Sequence, residues 1–162
     1  MTHSIVLLLA LLIGVVAGLR SLTAPAVVAW AALLHWINMD GTWAAWVGHP
    51  VTVTILSIAA VAELIVDLLP NVPDRTSVVP FTARIVLGAF AGAVIGTAWG
   101  YTWTGLGAGM IGAVLGTLGG YQARQRLVAG NDQHDLPVAL LEDAIAVLGG
   151  FGVAALTSLP LS

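Results

Sequence analysis

The chain has no cysteine and no lysine, and little charge of either sign. Without cysteine there are no disulfides, no thiolate metal sites and no thiol nucleophile. Charged residues make up 8% of the sequence, against about 25% in an ordinary soluble domain. Apolar residues make up 59% and the mean hydropathy is +0.99. So few charges cannot cover a surface that faces water, and lipid is the surrounding that suits them. The net charge of -3 and the lack of any basic tract give no footing for nucleic acid. No phosphate loop, nucleophile elbow, metalloprotease helix or dinucleotide fingerprint is present, so no enzyme is expected. His3, His35, His49 and His134 lack the pairwise spacing of a zinc site.

What the chain does have is long apolar runs. Segments at about 4–19, 24–39, 51–69, 82–100, 105–121 and 137–158 approach the roughly 20 residues a membrane helix needs. The first lacks the basic leader of a secretory signal and reads as a span. These runs predict an all-α, polytopic transmembrane helical bundle of six short, glycine-rich spans in a single domain, 1–162. Thr23 is expected to cap the second helix, with Pro25 in its first turn; Thr82 to cap the fourth; and Asp135 the sixth. Pro50 opens the third helix and Pro70 closes it. The short joint Arg20–Thr23 leaves one alternative, a single long helix broken near Pro25, giving five spans.

Six spans sort the charges. With the N-terminus outside, Arg20, Arg75, Arg84, Arg124 and Arg126 all fall on the inner face, the pattern of the positive-inside rule. Both termini are then outside. Trp36, Trp43, Trp46, Trp99, Tyr101 and Trp103 fall on the opposite face, as an interfacial aromatic belt does. Glycines recur every four residues at Gly88, Gly92, Gly96 and Gly100, at Gly112, Gly116 and Gly120 after Gly105 and Gly109, and at Gly14 and Gly18. Such rows let another backbone approach closely, either within one subunit or across the interface of a homo-oligomer, for which a dimer is favoured.

Against this apolar background the acids stand out. Glu63 and Asp67 are four apart and share a helix face. Glu63, seven residues before Pro70, is expected about 10 Å inside its helix, and Glu142, seven after Asp135, at a similar depth with Asp143 beside it. Carboxylates there cost about 2.5–3.5 kcal/mol each at mid-helix, so they should face inward and find partners. Arg20, Arg84 and Arg124 lie at the same end and are the expected partners in an ion-pair network. The alternative use of Glu63, Asp67, Glu142 and Asp143 is a polar vestibule for a cation, a proton or a small polar solute. If a metal binds, this donor set suits hard cations such as Mg²⁺, Ca²⁺ or Mn²⁺; no other cofactor is expected. Thr52, Thr54 and Ser57 either bond back to the third helix or line a path to Glu63. Asp74 and Arg75, in the proline-rich loop after Pro70, read as interfacial charges, with gating or docking of a partner as the alternative.

Gly18-Leu19-Arg20-Ser21-Leu22-Thr23-Ala24-Pro25, Glu63-x3-Asp67-x2-Pro70, Arg84, Gly120-Tyr121-x2-Arg124-x-Arg126 and Leu141-Glu142-Asp143 together resemble a bacterial membrane family catalogued as domain of unknown function 4126. The resemblance runs over nearly the whole chain. It implies a small integral membrane protein and supplies no activity. Leu68 stands where longer members of that family often carry lysine.

The expectation from these readings is a small multi-pass protein of the bacterial inner membrane, a transporter or channel-like protein for an ion or small polar solute. Its partners would be the lipid bilayer and a second copy of itself. A scaffold held by structural ion pairs, or a protein handling lipid head groups through its arginines, are the alternatives.

Overall fold

Inside hydrocarbon each backbone amide must be satisfied within its own segment or by a closed sheet, which favours helices for apolar runs of this kind. The computed structural model describes residues 1–67, 77–130 and 135–160. Among them are six α-helices and one short 3-10 turn, Ala45–Gly48, with no strand. The helices are α1 (His3–Leu19), α2 (Thr23–Leu33), α3 (Pro50–Val66), α4 (Val78–Thr97), α5 (Thr102–Gly130) and α6 (Asp135–Thr157). The all-helical class is as the sequence predicts.

The helix lengths are not all those of full spans. Among the described residues two helices, Val78–Thr97 and Leu136–Thr157, are long and apolar enough to cross a membrane; α1, α2 and α3 are shorter apolar helices. The 11 residues of α2 cover about 16 Å, half of a hydrocarbon core of about 30 Å. The expected span 24–39 stops early because His35 adopts a left-handed backbone, φ 57°, a conformation in which histidine is enriched. The His35 and Trp36 amides then turn back onto the Ala32 and Ala31 carbonyls, at 3.1 and 2.9 Å, ending the helix as a left-handed cap does. The chain from 34 to 49 folds over this end of the bundle, burying Ile37, Met39, Ala44 and Val47 in the core.

Helix α5 lies between α1 and α4, and these three form the tightest part of the fold. Glycines make that possible. A methyl group placed on Gly14 or Gly112 would meet the Gly109 or Leu11 carbonyl, and one on Gly116 or Gly18 would meet backbone of Val15 or of Ala113 to Thr117. On the other side Gly88, Gly92 and Gly96 meet Gly109, Gly105 and Tyr101 in the same way. The order of these contacts makes α1 parallel to α5 and α4 antiparallel to both. The glycine rows are therefore occupied within one chain, and an interface between copies would need another face.

The periphery is looser. Helix α2 packs on α3, α4 and α6, and α6 packs on α1, α2 and α5. Helix α3 packs mainly on α2 and the 3-10 turn among the described residues, and it buries just Val53 and Ala60. The outer surface is apolar along every helix, with Leu148 73%, Ile58 65% and Val86 58% exposed. An apolar surface of that extent is unfavourable in water.

Several boundaries differ from the sequence expectation. Helix α4 begins at Val78 after the N-cap Ser77, so Thr82 lies inside it and donates its hydroxyl back to Val78 O at 2.7 Å. Helix α5 runs on to Gly130, because Gln122 to Ala129 contains no breaker, and Arg124 and Arg126 are helical rather than in a loop. Helix α3 ends at Val66 with Asp67 as its C-cap. Pro70 lacks the amide that would close on Val66 O. Glu63 is thus in the last turn, about 5 Å from the helix end rather than 10 Å. Pro50 does open α3, with the His49 ring accepting from the Val51 amide at 3.3 Å. Pro70, Asp74, Arg75, His134 and the side chain of Asp135 lie outside the described residues.

Candidate functional site

The turn between α1 and α2 leaves two sets of backbone groups without helical partners: carbonyls at the end of α1 and amides at the start of α2. Charged side chains from other helices satisfy both. Arg84 of α4, 5% exposed, donates from Nη1 to Gly18 O at 2.6 Å and Leu19 O at 3.3 Å. Thr117 of α5 also donates to Gly18 O, at 3.2 Å. A cation is favoured at that negative end of the helix dipole. At the positive end, Glu63 of α3 accepts from the Ser21 amide (2.8 Å), the Ser21 hydroxyl (2.5 Å) and the Leu22 amide (2.7 Å). The cap of α2 is thus a carboxylate from another helix. Thr23, expected in that role, is the first helical residue and makes no capping bond; its hydroxyl is buried and has no hydrogen-bond partner among the described residues.

Between these two caps sits Arg20. Its side chain is 0% exposed, although it lies in the joint between two helices. It pairs with Asp67 at the end of α3, and its Nε donates to Asp143 Oδ1 of α6 at 2.5 Å. One guanidinium is therefore shared by carboxylates from two different helices, α3 and α6. Across the same end of the bundle Arg124 of α5 faces Glu142, Nη1 to Oε2 3.8 Å. All seven residues singled out as acids or charge partners gather here, in three connected settings: Arg84 on carbonyls, Glu63 on amides, and two arginines on three carboxylates.

The four acids do not converge on a common point, and no group of three or more His, Asp or Glu able to hold a metal ion occurs among the described residues. Glu63 is held by amides instead, and Asp67, Asp143 and Glu142 face guanidinium groups. The hydroxyls above Glu63 on α3 are used locally, Thr54 on Pro50 O at 2.9 Å and Ser57 accepting from Trp30 Nε1 at 3.0 Å.

The opposite end is aromatic. His3 stacks near Tyr101 with ring centroids 4.5 Å apart, and Trp43 reaches Thr97 through Nε1 at 3.0 Å and packs edge-on against Phe90. A cavity of about 670 Å³, lined by Trp43, Ile85, Phe90, Trp103 and Met110 among others, opens on the α4 and α5 face and holds no ionisable group.

Sequence reasoning missed the amides of Ser21 and Leu22 as partners of Glu63. The two ends of that contact are 42 residues apart, and backbone amides carry no sequence signal. Comparison with family models, with curated proteins and with solved structures gives no match to this chain; the resemblance noted above rests on its motifs.

Proposed function

We propose that this chain is a small multi-pass protein of the bacterial inner membrane that moves an ion or small polar solute, with the arginine–carboxylate centre as its working site. The observation that carries the reading is the sharing of Arg20: one wholly buried guanidinium serves both Asp67 and Asp143. Intramembrane charges are expensive, and their usual reason for being kept is a pathway or a relay. The shared cation also ties the ends of two peripheral helices, α3 and α6, to the turn between α1 and α2.

In this reading six helices cross the membrane, N-terminus and C-terminus outside. Helix α2 completes its crossing through the buried segment 34–49, and the charged end faces the cytoplasm. The aromatic end, with Trp43, Tyr101 and Trp103, lies at the outer interface. The preferred assembly is a dimer. Because the glycine rows are filled within the chain, α3, whose Ile55, Ile58 and Ile65 are about 60% exposed, is the face offered to it.

A second reading has a specific observation in its favour. Each of Glu63, Asp67, Glu142 and Asp143 already has a partner, as in a scaffold whose ion pairs only lock helices together. Reconstitution separates the two. Wild-type protein in liposomes should carry ion or solute flux, tested with a panel of H⁺, Na⁺, K⁺ and small polar solutes, and Asp143→Asn should lose it while remaining monodisperse. A folded wild-type protein with no flux across the panel supports the scaffold.

A further inference from the structure

We propose that the ion acting on this site is the proton, and that its uptake by Asp67 releases the charged end of α3 from the α1–α2 turn. This rests on the transport reading and names its coupling ion and moving part.

The choice of ion follows from what already fills the site. Arg20 stands between Asp67 and Asp143, so a metal cation would have to displace a buried guanidinium to reach both carboxylates. No three-ligand group is available elsewhere among the described residues. A proton needs no coordination shell. It forms an O–H bond on one carboxylate, leaves the guanidinium charged, and ends the repulsion between two anions around one cation. A second observation points to the same place. Thr23, in the first turn after Ser21 and Leu22, buries its hydroxyl without a hydrogen-bond partner among the described residues. Such a group costs about 1–3 kcal/mol unless something bonds it, and it lies in the same turn as the Ser21 and Leu22 amides that hold Glu63.

The choice of α3 follows from packing. The core helices α1, α4 and α5 are interlocked backbone to backbone, and α6 buries Val138, Ala139, Ala146, Val153 and Ala154. Helix α3 buries two residues. Near its charged end the described attachments are Asp67 to Arg20 and Glu63 to Ser21 and Leu22. Among the described residues α2 and the 3-10 turn, the main elements packed on α3, carry no charged group, and His49 caps the far end of α3. Around the site itself the charged groups among the described residues include Arg20, Glu63, Arg84, Arg124, Glu142 and Asp143. Protonated Asp67 gives up its ion pair, Asp143 keeps Arg20, and α3 is left with the Glu63 cap. Deprotonation restores the pair, so proton binding and the position of α3 are linked.

The absence of native cysteine makes a clean test. Spin labels on Ile65→Cys in α3 and Val86→Cys in α4, both exposed in a single copy, report the distance between α3 and the core in the full-length protein in lipid nanodiscs, with labelled protein diluted in unlabelled so that distances between copies do not contribute. At neutral pH one short distance population is expected, and on acidification a second, longer one. Asp67→Asn should show the longer population at every pH, Asp67→Glu should keep the response, and Asp143→Asn, which removes the carboxylate competing with Asp67 for Arg20, should push the midpoint to lower pH. Replacing sodium by choline at fixed pH should change nothing. A distribution blind to pH, a pH response that survives unchanged in Asp67→Asn, or a sodium-dependent shift would overturn the proposal. Transport by a pH-blind α3 would sink this proposal alone, whereas a pH-driven α3 without any flux would sink the transport reading alone.

Discussion

Replacing Arg20 by methionine keeps most of the side chain's length and removes its charge. Arg20 is 0% exposed and holds Asp67 and Asp143, so Arg20→Met leaves two carboxylates at a buried site without their cation. Breaking a buried ion pair from one side costs about 3–5 kcal/mol, since the surviving charge stays desolvated. That is roughly two to four powers of ten in the folding equilibrium constant. Removing all the charges together is a different perturbation. The triple variant Arg20→Met, Asp67→Asn, Asp143→Asn leaves no unpaired charge, and such replacements are often close to neutral. It should recover most of the loss while remaining inactive in transport. The assay is reversible unfolding in mixed micelles, read by circular dichroism, on wild type, single and triple variants. A single variant within about 1 kcal/mol of wild type, the range of an exposed pair, would refute the account of a buried, shared cation. So would a triple variant no better than the single.

Other outcomes follow from the same geometry. Gly112→Val places a side chain against the Leu11 carbonyl and should lower stability by about 1–3 kcal/mol or more through overpacking, whereas Gly107→Ala, which meets nothing, should stay within about 0.5 kcal/mol; thermal unfolding in detergent compares them. Glu63→Gln weakens the cap of α2 and should cost about 1–2 kcal/mol, with faster hydrogen exchange at the Ser21 and Leu22 amides and little change in α5. Cysteine crosslinking at Ile58 of α3 in native membranes should trap a dimer, and crosslinking at Gly112 should not, because that position is enclosed between α1 and α5.

The helical class was legible because apolar runs broken by proline and glycine have few other solutions in lipid. The glycine rows were legible as close-packing faces; which backbone fills them was not, because Gly14, Gly88 and Gly112 look alike until α5 is placed between α1 and α4. The seven charged residues could be picked out because any charge in so apolar a chain must be accounted for. Their division of labour was hidden: Arg84 binds carbonyls and Glu63 binds amides, and both partners belong to backbone far away in sequence. The end of α2 was missed for a local reason, since Leu34, His35 and Trp36 continue the apolar pattern while the backbone at His35 turns left-handed. Hydropathy reports where a side chain prefers to be and carries no information about such a turn.

The central claim is that the centre around Arg20 is a working site and not only a fastening. The most direct measurement is the transient current of proteoliposomes on a solid-supported membrane after a step to acidic pH. The account predicts a protein-dependent current in wild type that is lost in both Asp67→Asn and Asp143→Asn, with each variant still folded. A current equal to that of protein-free vesicles, or one that persists unchanged in both variants, would contradict it.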